Sequence, residues 1–283
     1  TKLWRLKPDR PPPEKDHEEN TMCDTCGCNV TPGNEHLVAS GGHLARTSGG
    51  NESVEVLKGL LDANDHQALH NREHFERHGV LAVNLMSSPG AGKTALLETT
   101  IEALGGALKV AVVEGDLETE NDAERIRNKG VPAVQISTGS ACHLDAHMVH
   151  TALHELDLDG IDVVFIENVG NLVCPASFDL GQHLNVTLLS TPEGHDKPSK
   201  YPVMFRAADL VVITKSDLLP VLDDFEPEYA TECLRQLASQ APVMEVSARS
   251  GAGISGWIDW IRREIGHVDE TSMPATKVGG DTA

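Results

Sequence analysis

The most constraining stretch of the chain is Val80-Leu-Ala-Val-Asn-Leu-Met-Ser-Ser-Pro-Gly-Ala-Gly-Lys-Thr94, an apolar run of strand length that breaks into a Gly-rich turn and resumes as a helical pattern. Gly92, Lys93 and Thr94 satisfy the end of the phosphate-binding pattern G-x-x-x-x-G-K-[ST], while Ser87 stands where its first Gly is expected. The physics survives that change. Gly90 and Gly92, with Ala91 between them, allow backbone N–H groups to converge on an anion. The helix opening at Lys93 and continuing through Ala95 adds its positive dipole end. Lys93 is expected to reach the β- and γ-phosphates of a nucleotide, and the Thr94 hydroxyl to ligate Mg²⁺.

The rest of the chain supplies the sheet that such a loop requires. Strand-length apolar runs recur at 80–85, 110–113, 131–136, 163–166, 186–189, 210–213 and 243–246, separated by helical patterns at 93–104, 118–129, 143–156, 226–239 and 253–265. This alternation predicts an α/β fold with a mostly parallel seven-stranded sheet flanked by helices. A hydrophobic fraction of 40% with only 4% aromatic residues suits a Val/Ile/Leu/Ala core of that kind. Residues 1–50, with Pro11-Pro12-Pro13 and Gly/Ser-rich segments, lack periodicity and are expected to be a flexible N-terminal segment. A helical lead-in is expected over 51–78, a nucleotide domain over 79–268 and a disordered tail over 269–283.

The formal charge of −20, from 43 acidic against 23 basic residues, disfavours nucleic acid and anionic lipid as partners. No run of 18 apolar residues occurs, so no membrane span is expected. Residues 1–21 are charged and Pro-rich rather than apolar, so the expectation is a cytoplasmic chain with reduced thiols. Its six cysteines then read as metal or redox groups rather than a disulfide framework.

Two carboxylates follow predicted strands, where open α/β sheets bind ligands. Asp116 ends Val112-Val113-Glu114-Gly115-Asp116, and Glu167 opens Glu167-Asn168-Val169-Gly170. Both are candidates to support Mg²⁺, directly or through water, and with Lys93 they form the expected catalytic set; either also fits a helix cap. Leu210-Val-Val-Ile-Thr-Lys-Ser-Asp-Leu218 resembles the Asn-Lys-x-Asp guanine reader with Thr214 in place of Asn. Lys215 and Asp217 are retained, and an Asp carboxylate accepts both donors of the guanine edge. Ser247 and Ala248 after the last strand are the second base element, so GTP is favoured over ATP. The Thr214 change is expected to weaken bracing of the loop.

Cys23, Cys26 and Cys28 place three thiols within one short Gly-containing segment, and thiolates suit nickel, zinc and copper(I). A square-planar site needs a fourth donor. The candidates are a backbone amide, Asp24, His36, or the amine of Met22 were it a chain start.

Taken together, Cys-x-x-Cys-Gly-Cys, Ser-Pro-Gly-Ala-Gly-Lys-Thr, Glu114-Gly115-Asp116, Cys142-His143-Leu144-Asp145-Ala146 and Glu167-Asn168-Val169-Gly170-Asn171-Leu172-Val173-Cys174-Pro175 resemble the HypB family of hydrogenase nickel incorporation proteins, SIMIBI-class P-loop GTPases. The resemblance implies a GTPase that dimerises on binding GTP and delivers Ni²⁺, with Zn²⁺ as an alternative ion, during [NiFe]-hydrogenase maturation. It also implies a nickel-carrying accessory protein and the hydrogenase large-subunit precursor as partners, the latter directly or through an intermediary. An adjacent Cys-His pair alone is more often plain surface than ligand. The likeness assigns Cys142, His143 and Cys174 to a metal site completed across a dimer, joining Thr94 and Asp116 among the metal-binding residues. A urease-type or zinc- or cobalt-handling GTPase, or a storage protein with a vestigial phosphate loop, are the alternatives. His66, His70, His74 and His78, and His143, His147, His150 and His154, form helical stripes expected to be solvated or dimer-contact residues. Cys233 is expected in the core.

Overall fold

The computed structural model describes residues 51–116, 121–139 and 141–272. The segment carrying Met22, Cys23, Asp24, Cys26, Cys28 and His36 lies outside them. Strands β1 (Leu81–Met86), β2 (Val110–Asp116), β3 (Ala133–Ser137), β4 (Val163–Glu167), β5 (Leu184–Ser190), β6 (Leu210–Thr214) and β7 (Val243–Val246) form one 7-stranded sheet in the order β3-β2-β4-β1-β5-β6-β7. Every pairing is parallel. The α/β expectation holds, and the cause is visible in the side-chain alternation. Leu81, Val83 and Leu85 of β1, Val110 and Val112 of β2, and Val163 and Phe165 of β4 enter one core; Ala82, Ala111, Val113, Val164 and Ile166 enter the other. A sheet buried on both faces needs apolar residues at both parities, which explains the continuous apolar runs.

One face is covered by α2 (Lys93–Leu104), α3 (Asn121–Arg127) and α8 (Ile254–Ser272), which contribute Leu97, Ile126 and Trp257 among others. The Trp257 indole N–H donates to Thr100 Oγ1 at 2.8 Å, so this large buried ring leaves no polar orphan. The other face is covered by α1 (Asn51–His78) and α4 (Ala146–Leu153), through Phe75, Val149 and Leu153. Short helices α5 (Lys197–Lys200) and α6 (Pro202–Arg206), with α7 (Pro227–Gln236), complete the β5–β6 side, and Cys233 is buried there as expected.

Helix α1 keeps its expected bounds, while the start of α4 and the end of α8 shift. The lead-in α1 is one unbroken helix packed on α4, clamped by buried asparagines. Asn64 accepts from Ala146 N at 2.9 Å, and Asn71 Nδ2 donates to Ala146 O at 2.7 Å and Leu180 O at 3.0 Å. The helix expected from 143 begins at Ala146, because Asp145 is extended and caps it by accepting from Met148 N at 2.8 Å. Helix α8 continues to Ser272, past the 268 boundary. Among the described residues no helix is long and apolar enough to cross a membrane.

Candidate functional site

Strand β1 lies between β4 and β5, so the loop after it opens beside the loops of both neighbours at the C-terminal edge of the sheet. Gly90 (φ 73°) and Gly92 (φ 96°) take left-handed conformations that a side chain would resist. Ser87 does more than replace a Gly. It is fully buried, and its hydroxyl accepts from Lys93 Nζ at 3.1 Å while donating to Ser88 O at 2.7 Å. Thr94 Oγ1 donates to Glu167 Oε1 at 2.9 Å, and Lys93 Nζ stands 3.8 Å from the same oxygen. Lys93, Thr94 and Glu167 are therefore gathered at one point.

Glu114 joins them, although the sequence reading passed over it in favour of Asp116. It lies directly opposite Glu167 in the β2–β4 register and is 2% exposed. Burial, then the Glu167 charge, pushes its carboxyl well above the usual carboxylate range. Burial raises Glu167 too, but Lys93 and the Thr94 hydroxyl oppose the rise, so Glu114 holds its proton in preference to Glu167. Glu114 Oε1 and Glu167 Oε2 are buried without a hydrogen-bond partner. Asp116 ends β2, two residues on and hence on the same face as Glu114. Strand parity alone could have paired Glu114 with Asp116; only the register pairs Glu114 with Glu167. Glu193, after β5, was also missed. Burial raises its carboxyl, with Lys197, Lys215 and Lys93 opposing.

The residues expected to read the base lie at a cavity of about 290 Å³, whose lining includes Ala91, Ala95, Lys215, Asp217 and Ala248. Ser247 Oγ donates to Asp217 Oδ1 at 2.6 Å, which fixes the carboxylate. Thr214 departs from the expected loss of bracing: its hydroxyl donates to Ala91 O at 2.6 Å, and Lys215 Nζ donates to Gly90 O at 2.8 Å. The last residue of β6 and the residue after it thus each grip the phosphate loop.

A second centre lies on the α4 face. Cys142 Sγ stands 3.3 Å from Cys174 Sγ and 3.9 Å from His143 Nδ1, and the three ligand atoms fall within 4.8 Å of one another. His143 is not on the α4 stripe. It sits in the turn before the helix, fully buried and stacked on Phe178 at a centroid distance of 4.0 Å. Burial pushes its pKa down to about 4, against a smaller opposing pull from Asp145, so the imidazole is neutral and able to donate a lone pair. Two sulfurs and one neutral nitrogen suit Ni²⁺, Zn²⁺ or Cu⁺ and are poor ligands for Mg²⁺.

The loop after β4 joins the two centres. Asn171 N donates to Ser87 O at 2.8 Å, and Asn171 Nδ2 donates to Cys142 O at 3.3 Å. Asn168 Oδ1 accepts from Leu144 N at 3.2 Å. A Cβ on Gly170 would lie 2.8 Å from Pro89 Cα, so the loop is laid directly on the phosphate loop.

The profile of the CobW/HypB/UreG nucleotide-binding domain matches residues 81–245. The chain is 53% identical over 214 residues to the hydrogenase maturation factor HypB of Azotobacter chroococcum mcd 1, covering 75% of this chain and 70% of that one. It is 48% identical over 211 residues to the HypB of Escherichia coli (strain K12), covering 75% and 72%. The crystal structure of HypB from Helicobacter pylori in complex with nickel is similar with a TM-score of 0.70 and 40% identity, over 76% of this chain and 99% of that one.

Proposed function

This chain belongs to the HypB family of hydrogenase maturation factors, a group of nucleotide-binding proteins, and we propose that it hydrolyses GTP to govern the holding and release of a Ni²⁺ cargo at Cys142, His143 and Cys174. The single observation that carries the reading is Asn171, whose backbone and side chain bond the phosphate loop and the cysteine turn at once.

In the proposed reaction water attacks the γ-phosphorus, the bond to the β–γ bridging oxygen breaks, and GDP and phosphate leave. Lys93 neutralises charge on the phosphoryl oxygens, and the amides of the Gly90–Thr94 turn cradle them. Thr94, Asp116 and Glu167 are the groups that fit Mg²⁺, being hard oxygen donors in a pocket where a Glu167 oxygen lacks a partner. When bound, that ion offsets the phosphate charge. Glu114, holding its proton, keeps a second negative charge away from the same point. Asp217 accepts from the guanine edge, held by Ser247, while Lys215 and Ala248 flank the base.

The nickel cargo meets two thiols and one imidazole from one chain, one donor short of a four-coordinate site. A second copy of the chain, brought in by GTP, completes the set. Cys23, Cys26 and Cys28 serve as a separate capture site, with Zn²⁺ as a competing ion. The cargo arrives on a nickel-carrying accessory protein in the cytoplasm and is destined for the hydrogenase large-subunit precursor.

Lys93→Ala is expected to lower GTP turnover at least about 100-fold while nickel stoichiometry stays at the parent level. Unchanged turnover in that variant would overturn the reading. So would a parent that hydrolyses no GTP, which is the behaviour of a storage protein.

A further inference from the structure

The two histidine stripes meet where α1 packs on α4, and one pair there has a geometry that solvated surface residues do not need. His150 and His154, one helical turn apart, place their Nε2 atoms 3.1 Å from each other. A first-row metal bonds imidazole nitrogen at about 2.0–2.1 Å, so two such ligands lie about 2.9 Å apart at a right angle and about 3.4 Å apart in a tetrahedron. The observed separation falls between the two.

Asn71 settles which nitrogen of His150 carries the proton. Its Nδ2 donates to two backbone carbonyls, Ala146 O and Leu180 O, which fixes Oδ1 as the outward acceptor. His150 Nδ1 lies 3.1 Å from that oxygen and must donate to it. The hydrogen is therefore on Nδ1, and Nε2 presents its lone pair towards His154. A fully buried amide that orients one ring nitrogen so that the other can coordinate is the support a metal-binding histidine requires. His74 is a half-buried residue of α1. Burial is the largest cause of the lowering of its pKa, and His78, Arg77, His154 and His150 add to it. His150 is likewise lowered, by burial and then by His154, His147 and His70.

We propose that His150 and His154 form a second metal site for a borderline divalent cation such as Ni²⁺ or Zn²⁺, distinct from the thiol centre at Cys142, His143 and Cys174. His150 lies on α4 and His154 caps its C-terminal end, whereas His143 lies buried before that helix. The site contains imidazole alone and lies on the surface, so it suits rapid, weak loading from solution or from a carrier. Coordination requires only that the proton between the two Nε2 atoms leave. On the exposed His154 ring it moves to Nδ1, and no net charge is lost.

The test uses the full chain without nucleotide. With Cys23, Cys26, Cys28, Cys142 and Cys174 all replaced by Ser, equilibrium dialysis against Ni²⁺ alone and Zn²⁺ alone is expected to find one ion per chain. His154→Gln, at an exposed position, is expected to abolish that ion, while His66→Gln leaves it. In the parent protein His154→Gln is expected to lower the total metal count by one and leave the thiolate-to-nickel absorption unchanged. No saturable ion in the Cys-to-Ser protein, or a parent count indifferent to His154→Gln, overturns the site. Neither readout depends on GTP hydrolysis, so failure here is separable from failure of the proposed GTPase reading.

Discussion

Thr214 shows how a single substitution in a motif can keep a loop braced by another bond. An Asn at this position would brace the base-reading loop with its amide; here a hydroxyl holds Ala91 O at 2.6 Å. Thr214→Val keeps the shape and removes only that donor, leaving a buried carbonyl short of a partner. The expected result is GTP affinity about 3–10-fold weaker, or about 1 kcal/mol, with the selectivity for guanine over adenine unchanged, measured by titration with both nucleotides. An unchanged affinity would show that Lys215, through Gly90 O, braces the loop alone. That Lys93 and Thr94 open a helix after a Gly-rich turn, and that Asp217 follows a strand, was legible from spacing, because both placements depend on local chain geometry. Glu114 was not. Its importance comes from lying opposite Glu167, a residue far along the chain, and nothing in Val110–Asp116 announces that neighbour.

At the scale of elements, the joint between α1, β1 and β5 carries a pH-sensitive contact. Ala82 N donates to His183 Nδ1 at 2.9 Å, so that nitrogen must be unprotonated. Burial, and secondarily Arg72, push the His183 pKa down to about 4. In the unfolded chain the ring titrates near the ordinary histidine value of about 6.5. The folded value is the lower one, so the unfolded state takes up the proton first as pH falls. The contribution is therefore full at pH 7, declines below about 6.5 and is gone below about 4. Allowing for a ring partly open to solvent, it amounts to about 1–2 kcal/mol. Urea unfolding at pH 7, 6 and 5 should show this loss, and His183→Asn, which keeps an acceptor without titrating, should flatten that part of the profile. An identical slope in the variant would rule His183 out. The strands themselves were legible from runs of apolar residues, since each must satisfy a core on both faces. The start of α4 was not, because Asp145, as its cap, moves the first turn past Cys142 and His143.

Across the whole molecule, the nucleotide cleft and the thiol centre are joined by one short loop rather than by the sheet. Asn171→Ala removes the bonds that its side chain makes to Cys142 O and from Val173 N, and leaves the backbone bond to Ser87 O. Coupling between two sites is commonly worth about 1–3 kcal/mol. Nickel affinity measured with and without a non-hydrolysable GTP analogue should differ in the parent and converge in Asn171→Ala; a ratio that survives the substitution would refute this route. The amino-acid sequence by itself determined the parallel sheet, the phosphate loop and the presence of metal-binding residue types. Each of these follows from chemistry within a few residues, or from a periodicity that any two-sided sheet must show. Only the tertiary structure decided that Cys142 and Cys174 meet, that Glu114 faces Glu167, and that His150 is oriented by Asn71. Those contacts join residues distant along the chain, and their geometry is set by strand order, register and helix packing, which no local pattern encodes. The phosphate loop was thus visible in the sequence, but its connection to the turn that carries Cys142 and His143 exists only in the fold.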